Sequence, residues 1–235
     1  MNRRDNNPDY LPLVSCLCVT HNNPLMLERV IKCFNNQTYK NKQLIIVYED
    51  SDMTTCEFVD NMVISDILKI VKVHSGFVKN TLGTLRNLSV NAADGEYICQ
   101  WDDDDWYSPD RIEVQVNHIL SNNRIACVLS RWIVFDSCNN KAYISNKRTW
   151  EGSILCKKEV IQENPYADLP MGEDTCVINY LLEQNALTTI DNMPQLYIYI
   201  YHKGNTWGID HFKEIFSASI ELPDNIAEEI SCLIE

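Results

Sequence analysis

Four consecutive aspartates, Asp102 to Asp105, follow the apolar run EYICQW and precede Ser108-Pro109. Carboxylates packed this closely repel one another, and a hard divalent cation relieves the repulsion through carboxylate and phosphate oxygens. Mg2+ and Mn2+ suit such a donor set. The plain alternative is a solvated acidic turn, a common feature of protein surfaces. A second acidic pair, Glu173-Asp174, opens an apolar-faced helical stretch after Met171-Gly172. Carboxylates there complement the positive end of a helix dipole, or accept a proton from a reacting hydroxyl, and the two roles are compatible. His202 ends the run YIYIYH ahead of a Lys-Gly turn. Neutral imidazole is a good Mn2+ ligand and a poorer Mg2+ ligand; the alternative is a histidine fixed at a strand end. His74, His118 and His211 stand in no comparable context.

The surrounding pattern predicts the elements that must hold these groups. Residues 13–19 read as a buried strand, and Pro24 opens a helix with Leu27, Val30, Ile31 and Phe34 at helical spacing. Strands are predicted at 43–48, 67–73 and 96–101. A short helix carrying Phe58, Val59 and Met62 and a second over 81–93 lie between them, with Gly95 as a left-handed cap. This βαβαβαβ run builds a parallel sheet, whose ligands sit at the carboxyl ends of the strands. The polar clusters THNN, EDSD and DDDD each follow a strand and are expected to meet along one rim. Beyond them, Ser108 and Pro109 are read as the start of a helix to about residue 121. Strands are expected over 125–135, 141–145 and 196–202, a helix over 173–184, and a helical C-terminal segment.

Bulk properties narrow the classes. With 235 residues and 45% hydrophobic content the chain suits one α/β domain. A formal net charge of -13 disfavours nucleic acid as a partner, although a cation can bridge an acidic rim to a nucleotide diphosphate. Ten cysteines without a CxxC pair read as reduced, buried thiols of a cytoplasmic protein. MNRR before LPLVSCLCV imitates a leader, but Asp5 and Asp9 interrupt it, and the short apolar run reads as a first strand. No transmembrane stretch is expected, so any membrane contact would be made through the acceptor.

VSCLCVTHNNPLMLERVIKCFNNQTYKNKQLIIVYEDSD resembles the opening of the family 2 glycosyltransferases with the GT-A fold. The shared pattern is strand-Thr-x-Asn, a helix ending in NQTY, and a strand followed by an acidic turn. GTLRNLSVNAADGEYICQWDDDDWYSPDR resembles the family's Arg-Asn helix, GEYI strand and aspartate metal motif. The likeness is strong over residues 13–112 and continues weakly through 150–160, 171–182 and 201–207.

The resemblance implies a single GT-A-type domain, a Rossmann-like three-layer α/β/α arrangement with a mostly parallel central sheet. Residues 13–112 would form a nucleotide-binding half, 113–207 an acceptor-binding half, and 208–235 peripheral helices. It implies an inverting transfer of sugar from a nucleotide-diphosphate donor, UDP-linked by family frequency, to a hydroxyl of a glycan or glycoconjugate. Thr20, His21 and Asn22 fall where the family cradles the nucleotide. Glu49 falls where an acidic residue accepts from the base N–H; Ser51 shares its turn. Tyr48, Glu49, Asp50 and Ser51 depart from the usual two aspartates and Gly-Ser, which leaves the base open. Arg86 matches an arginine facing the nucleotide, against the plainer reading of a helix-surface ion pair. Asp104 is the implied metal ligand, joined by His202, with Asp102 and Asp103 reaching ribose or a metal-bound water. Asp174 is the implied base, with Glu173 beside it. Trp106 and Trp150 are the acceptor-side aromatic candidates.

Two other classes stand beside this one. A sugar nucleotidyltransferase needs a Gly-rich, cationic phosphate loop after the first strand, and THNNPLMLE has no glycine, lysine or arginine. A non-catalytic glycan- or cation-binding module would hold Ca2+ on the four aspartates.

Overall fold

The computed structural model describes residues 11–63 and 65–234. Asp5 and Asp9, on which the expectation about the opening segment rests, lie outside the described residues. The first half alternates as the pattern predicts: β1 (Val14–Val19), α1 (Pro24–Asn35), β2 (Lys42–Glu49), α2 (Met53–Asp60), β3 (Leu68–Val73), α3 (Leu82–Ala92) and β4 (Tyr97–Gln100). Local chemistry starts each helix. Pro24 occupies the first turn of α1, the Asp52 carboxylate accepts from Thr55 N ahead of α2, and the Thr81 hydroxyl accepts from Thr84 N ahead of α3.

The second half runs β5 (Trp106–Tyr107), α4 (Arg111–Ser121), β6 (Ala126–Leu129), β7 (Ile133–Asp136), β8 (Lys141–Ile144), β9 (Leu155–Lys157), α5 (Lys158–Glu163) and α6 (Thr175–Glu183). It ends with β10 (Leu187–Ile190), β11 (Tyr197–Tyr201), α7 (Ile209–Ser217), β12 (Ile220–Glu221) and α8 (Asp224–Ile234). Seven strands make the large sheet in the order β10-β6-β9-β4-β1-β2-β3. All its pairings are parallel except those of β9 with β4 and β6. Strand alternation divides β1 and β2 between two cores. Cys16, Cys18, Leu44 and Ile46 face one, Leu17, Ile45 and Val47 the other, which gives the expected three layers. No helix among the described residues is long and apolar enough to cross a membrane. Cys16, Cys18, Cys33, Cys56, Cys99, Cys127 and Cys156 are buried free thiols, whereas Cys138, Cys176 and Cys232 are exposed, contrary to the sequence reading.

The structure corrects the sequence reading at three further places. The apolar run 125–135 is two strands, because after Ser130 the chain leaves the large sheet for a second one, β12-β8-β7-β11-β5. Hydrophobicity alone does not say which neighbour a strand finds. The helix expected from Ser108-Pro109 begins at Arg111, since the Ser108 hydroxyl donates to the Asp110 carboxylate instead of capping. Gly95 is not a left-handed cap; the positive φ among the described glycines belongs to Gly172. Gly95 is required by close approach to β1. A Cβ there would lie 2.5 Å from Ser15 Oγ, 2.7 Å from Tyr97 O and 2.8 Å from Leu13 O. Two of those atoms are backbone and have no room to yield. Gly95→Ala is therefore expected to lower stability by about 1–3 kcal/mol, read as a reduced urea midpoint. An unchanged midpoint would show that β1 and β4 separate freely.

Candidate active site

Strand β1 pairs with β2 on one side and β4 on the other, so the connections leaving their carboxyl ends diverge and open a crevice. A cavity of about 420 Å³ lies there. Val19, at the end of β1, and the segment after β4 line it. The three polar turns are tied together on this rim. Thr20 donates to Asp103 Oδ2 at 2.6 Å, and the backbone N–H of Asn22 donates to Asp52 Oδ2, also at 2.6 Å.

The four aspartates have four separate sets of partners. Asp102 accepts from Arg86 Nη2 at 2.8 Å. Asp103 takes the Thr20 hydroxyl. Asp104 Oδ2 lies 3.1 Å from His202 Nε2 and 3.1 Å from Asn205 Nδ2. Asp105 is fully buried, where it accepts from the Tyr197 hydroxyl and from Ile200 N, the latter at 2.9 Å. Asp105 thus holds β11 to the acidic corner, and all four aspartates border the cavity. Burial, and then the neighbouring Asp104, push the Asp103 carboxyl up to about 8 against the Thr20 hydrogen bond. The corner is short of positive charge as it stands.

Arg86 is not a helix-surface residue. It is buried on α3, donating from Nε to Glu173 at 2.6 Å and from Nη2 to Asp102. Burial opposes its charge, but Asp102 and Glu173 outweigh that and its pKa is raised. The segment before α6 reaches this arginine because α3 offers no side chain at Gly83. A Cβ there would lie 1.8 Å from Ala167 O. Gly172 then turns with φ +70, and Glu173 and Asp174 enter the cavity lining.

Asp174 precedes α6 but makes no capping hydrogen bond. Burial, then the charge of Glu173, push its carboxyl up to about 7, with Arg86 opposing. A cavity carboxyl with no hydrogen-bonded partner among the described residues, pushed up to about 7, has the properties of a general base.

The cavity lining gathers Arg86, Asp102, Asp103, Asp104, Glu173, Asp174 and Trp150. Thr20, His21, Asn22, Glu49, Ser51 and His202 are not among the lining residues. His21 is exposed, 3.8 Å from Asp52, and Ser51 accepts from Ser75 Oγ. Glu49 is buried, with Oε1 accepting from Asn80 Nδ2 at 2.7 Å. Trp106 is outside the lining and packs between two cores. Trp150 is 3% exposed, stacked 4.3 Å from Trp132. Residues the sequence reading passed over also line the cavity, among them Arg148, Glu151, Asn205, Trp207 and His211. Of these, Trp207 closes the weakly family-like stretch 201–207, and His211 has no comparable sequence context. Among the described residues no three His, Cys, Asp or Glu side chains form a group that could hold a metal. Asp104 and His202 contribute two donors.

Residues 15–178 match the sequence model described as glycosyl transferase family 2, well over half of the chain. The chain belongs to this family. This family 2 chain is 30% identical over 115 residues to an uncharacterized glycosyltransferase of Haemophilus influenzae, covering 49% of the chain and 45% of the relative. It is 33% identical over 129 residues to another of Methanocaldococcus jannaschii, covering 53% and 42%. The chain therefore spans less than half the length of these curated relatives. Its fold is that of S. aureus TarS in complex with UDP-GlcNAc, with a TM-score of 0.63 at 15% identity over 83% of this chain and 60% of that one. It is likewise that of a mannosyltransferase of Pyrobaculum calidifontis in complex with GDP-Man and Mn2+, with a TM-score of 0.61 at 13% identity over 83% and 58%.

Proposed function

We propose that this family 2 chain is a metal-dependent, inverting glycosyltransferase that moves a sugar from a UDP-linked donor to a hydroxyl of a glycan or glycoconjugate. The observation that carries the reading is Asp174. It is a cavity carboxyl pushed up to about 7, and it shares one 420 Å³ cavity with the acidic corner after β4. The acceptor oxygen bonds to the anomeric carbon, its proton passes to Asp174, and the bond from that carbon to the diphosphate breaks with its electron pair on the diphosphate. One in-line displacement of this kind inverts the anomeric centre. Arg86, with Nε and Nη2 committed, holds Glu173 and Asp102 in register across the cavity.

A divalent ion is proposed at Asp104 and His202, the two donors brought together there. Asp104 and His202 supply one carboxylate and one imidazole, a combination that favours Mn2+. When bound, such an ion offsets the charge that grows on the leaving diphosphate. UDP is supported by TarS, whose structures hold UDP-GlcNAc or UDP, while the mannosyltransferase holds GDP-Man with Mn2+. Thr20, His21, Asn22, Glu49 and Ser51 are proposed to receive the nucleoside from the side of the cavity nearest β1 and β2.

Donor hydrolysis measured across UDP-, GDP- and dTDP-sugars with Mn2+ tests this directly. Manganese-dependent turnover of a UDP-sugar is the expected result. Manganese-dependent nucleotide binding without turnover of any donor would replace the transferase with a binding module.

A further inference from the structure

Trp207 stands apart from the other tryptophans of the cavity. Trp132 and Trp150 are 4% and 3% exposed and stack on each other, whereas Trp207 is 39% exposed. One face of its ring lies against His211, 4.6 Å between centroids at 21°. No other ring covers it among the described residues. Burial, and then the charge of Arg148, hold the His211 pKa below the usual histidine range, so the backing ring is neutral at neutral pH.

The platform sits on a fixed support. Phe212 is fully buried and stacks on Tyr199 at 4.9 Å, which anchors the start of α7. Asn205 ties the loop before it to Ile200 O at 2.8 Å and to Asp104. A large aromatic face left open in a cavity lined by both carboxylates and aromatic rings is a recognition surface. The charges around it restrict the ligand. Seven carboxylic acids and two arginines line the cavity. Both arginines are paired, Arg86 with Asp102 and Glu173, and Arg148 with Glu151 at 3.0 Å. An anionic sugar finds no uncommitted cation there, and a neutral ring meets no such penalty.

We propose that Trp207, backed by His211, binds the C–H face of a neutral pyranose of the acceptor, in the cavity that holds Asp174. The assignment of this ring to the acceptor rests on the transferase reading; the platform itself does not. It places acceptor recognition on α7 and the loop before it, and it replaces Trp106 and Trp150 as the contact.

Saturation-transfer NMR on the full chain with Mg2+, which is diamagnetic, and UDP tests it, using methyl glycosides of neutral hexoses, the matching methyl hexuronides and acyclic hexitols. Ring C–H saturation is expected for the neutral glycosides alone. It is expected to be lost in Trp207→Ala and retained in Trp207→Phe, with UDP saturation kept in both as the control for folding. With turnover available, Trp207→Ala is expected to raise the acceptor KM about tenfold. Equal glycoside signals from wild type and Trp207→Ala would overturn the platform, as would no signal in wild type. Hexuronides saturating as strongly as neutral glycosides would overturn the neutral-ligand assignment. Glycoside binding through Trp207 in a protein that turns over no nucleotide-sugar would instead sink the transferase reading while leaving the glycan site in place.

Discussion

Asp174→Asn is expected to cut sugar transfer by roughly 10²- to 10⁴-fold, the usual contribution of a positioned general base. The amide keeps the shape of the carboxyl but accepts no proton at the reacting oxygen. The pH dependence gives the sharper readout. Burial and the Glu173 charge push the Asp174 carboxyl up to about 7, so the basic form accumulates only as pH rises through that value. Transfer at saturating donor should rise across the same window, and the rise should vanish in Asp174→Asn. Glu173→Gln removes the single charge that both raises Asp174 and offsets Arg86, so its limb should move to lower pH. The stability sign runs the other way. A carboxyl whose folded pKa is raised supports the fold most below its unfolded value near 4 and loses that support as pH rises through about 7. Asp174→Asn should accordingly gain stability over wild type at pH 8 relative to pH 4. A variant with wild-type turnover and an unaltered pH limb would remove Asp174 from the chemistry.

Asp104→Ala and Asp105→Ala, adjacent in sequence, are expected to fail in different ways. Asp104 is half-buried in the cavity lining, and its partners are held without it. Asn205 keeps its bond to Ile200 O, and the His202 backbone N–H keeps its bond to Asn205 Oδ1 at 2.9 Å. The variant should fold, lose turnover by roughly 10²–10³-fold, and lose manganese-dependent UDP affinity in calorimetry. Asp105→Ala leaves the Tyr197 hydroxyl and Ile200 N buried without their acceptor, each costing about 1–3 kcal/mol. Its failure should appear in the urea midpoint. Manganese-dependent UDP binding that survives in Asp104→Ala would overturn the metal proposal.

Much of the architecture was legible in the residues because its signals are local. The continuous apolar runs VSCLCV and QLIIVY and the helical spacing of Leu27, Val30 and Phe34 act within a few positions. A βαβ run also constrains handedness and the end of the sheet at which loops collect. The convergence of THNN, EDSD and DDDD could therefore be anticipated. The split at Ser130 and the late start of α4 could not, because each depends on which partner a strand or hydroxyl finds.

The candidate site divides along the same line. By itself, the sequence determined the family, the order of elements through Gln100 and the presence of an acidic corner after β4, since these follow from patterns read along the chain. Tertiary structure alone decided which aspartate supports β11, why Gly95 and Gly83 carry no side chain, and that Trp207 is the open ring. The physical reason is that hydrogen-bond partners, steric room and desolvation are set by atoms arriving from distant segments. Tyr197 meets Asp105, and Ala167 meets Gly83, only after the sheets and helices have packed.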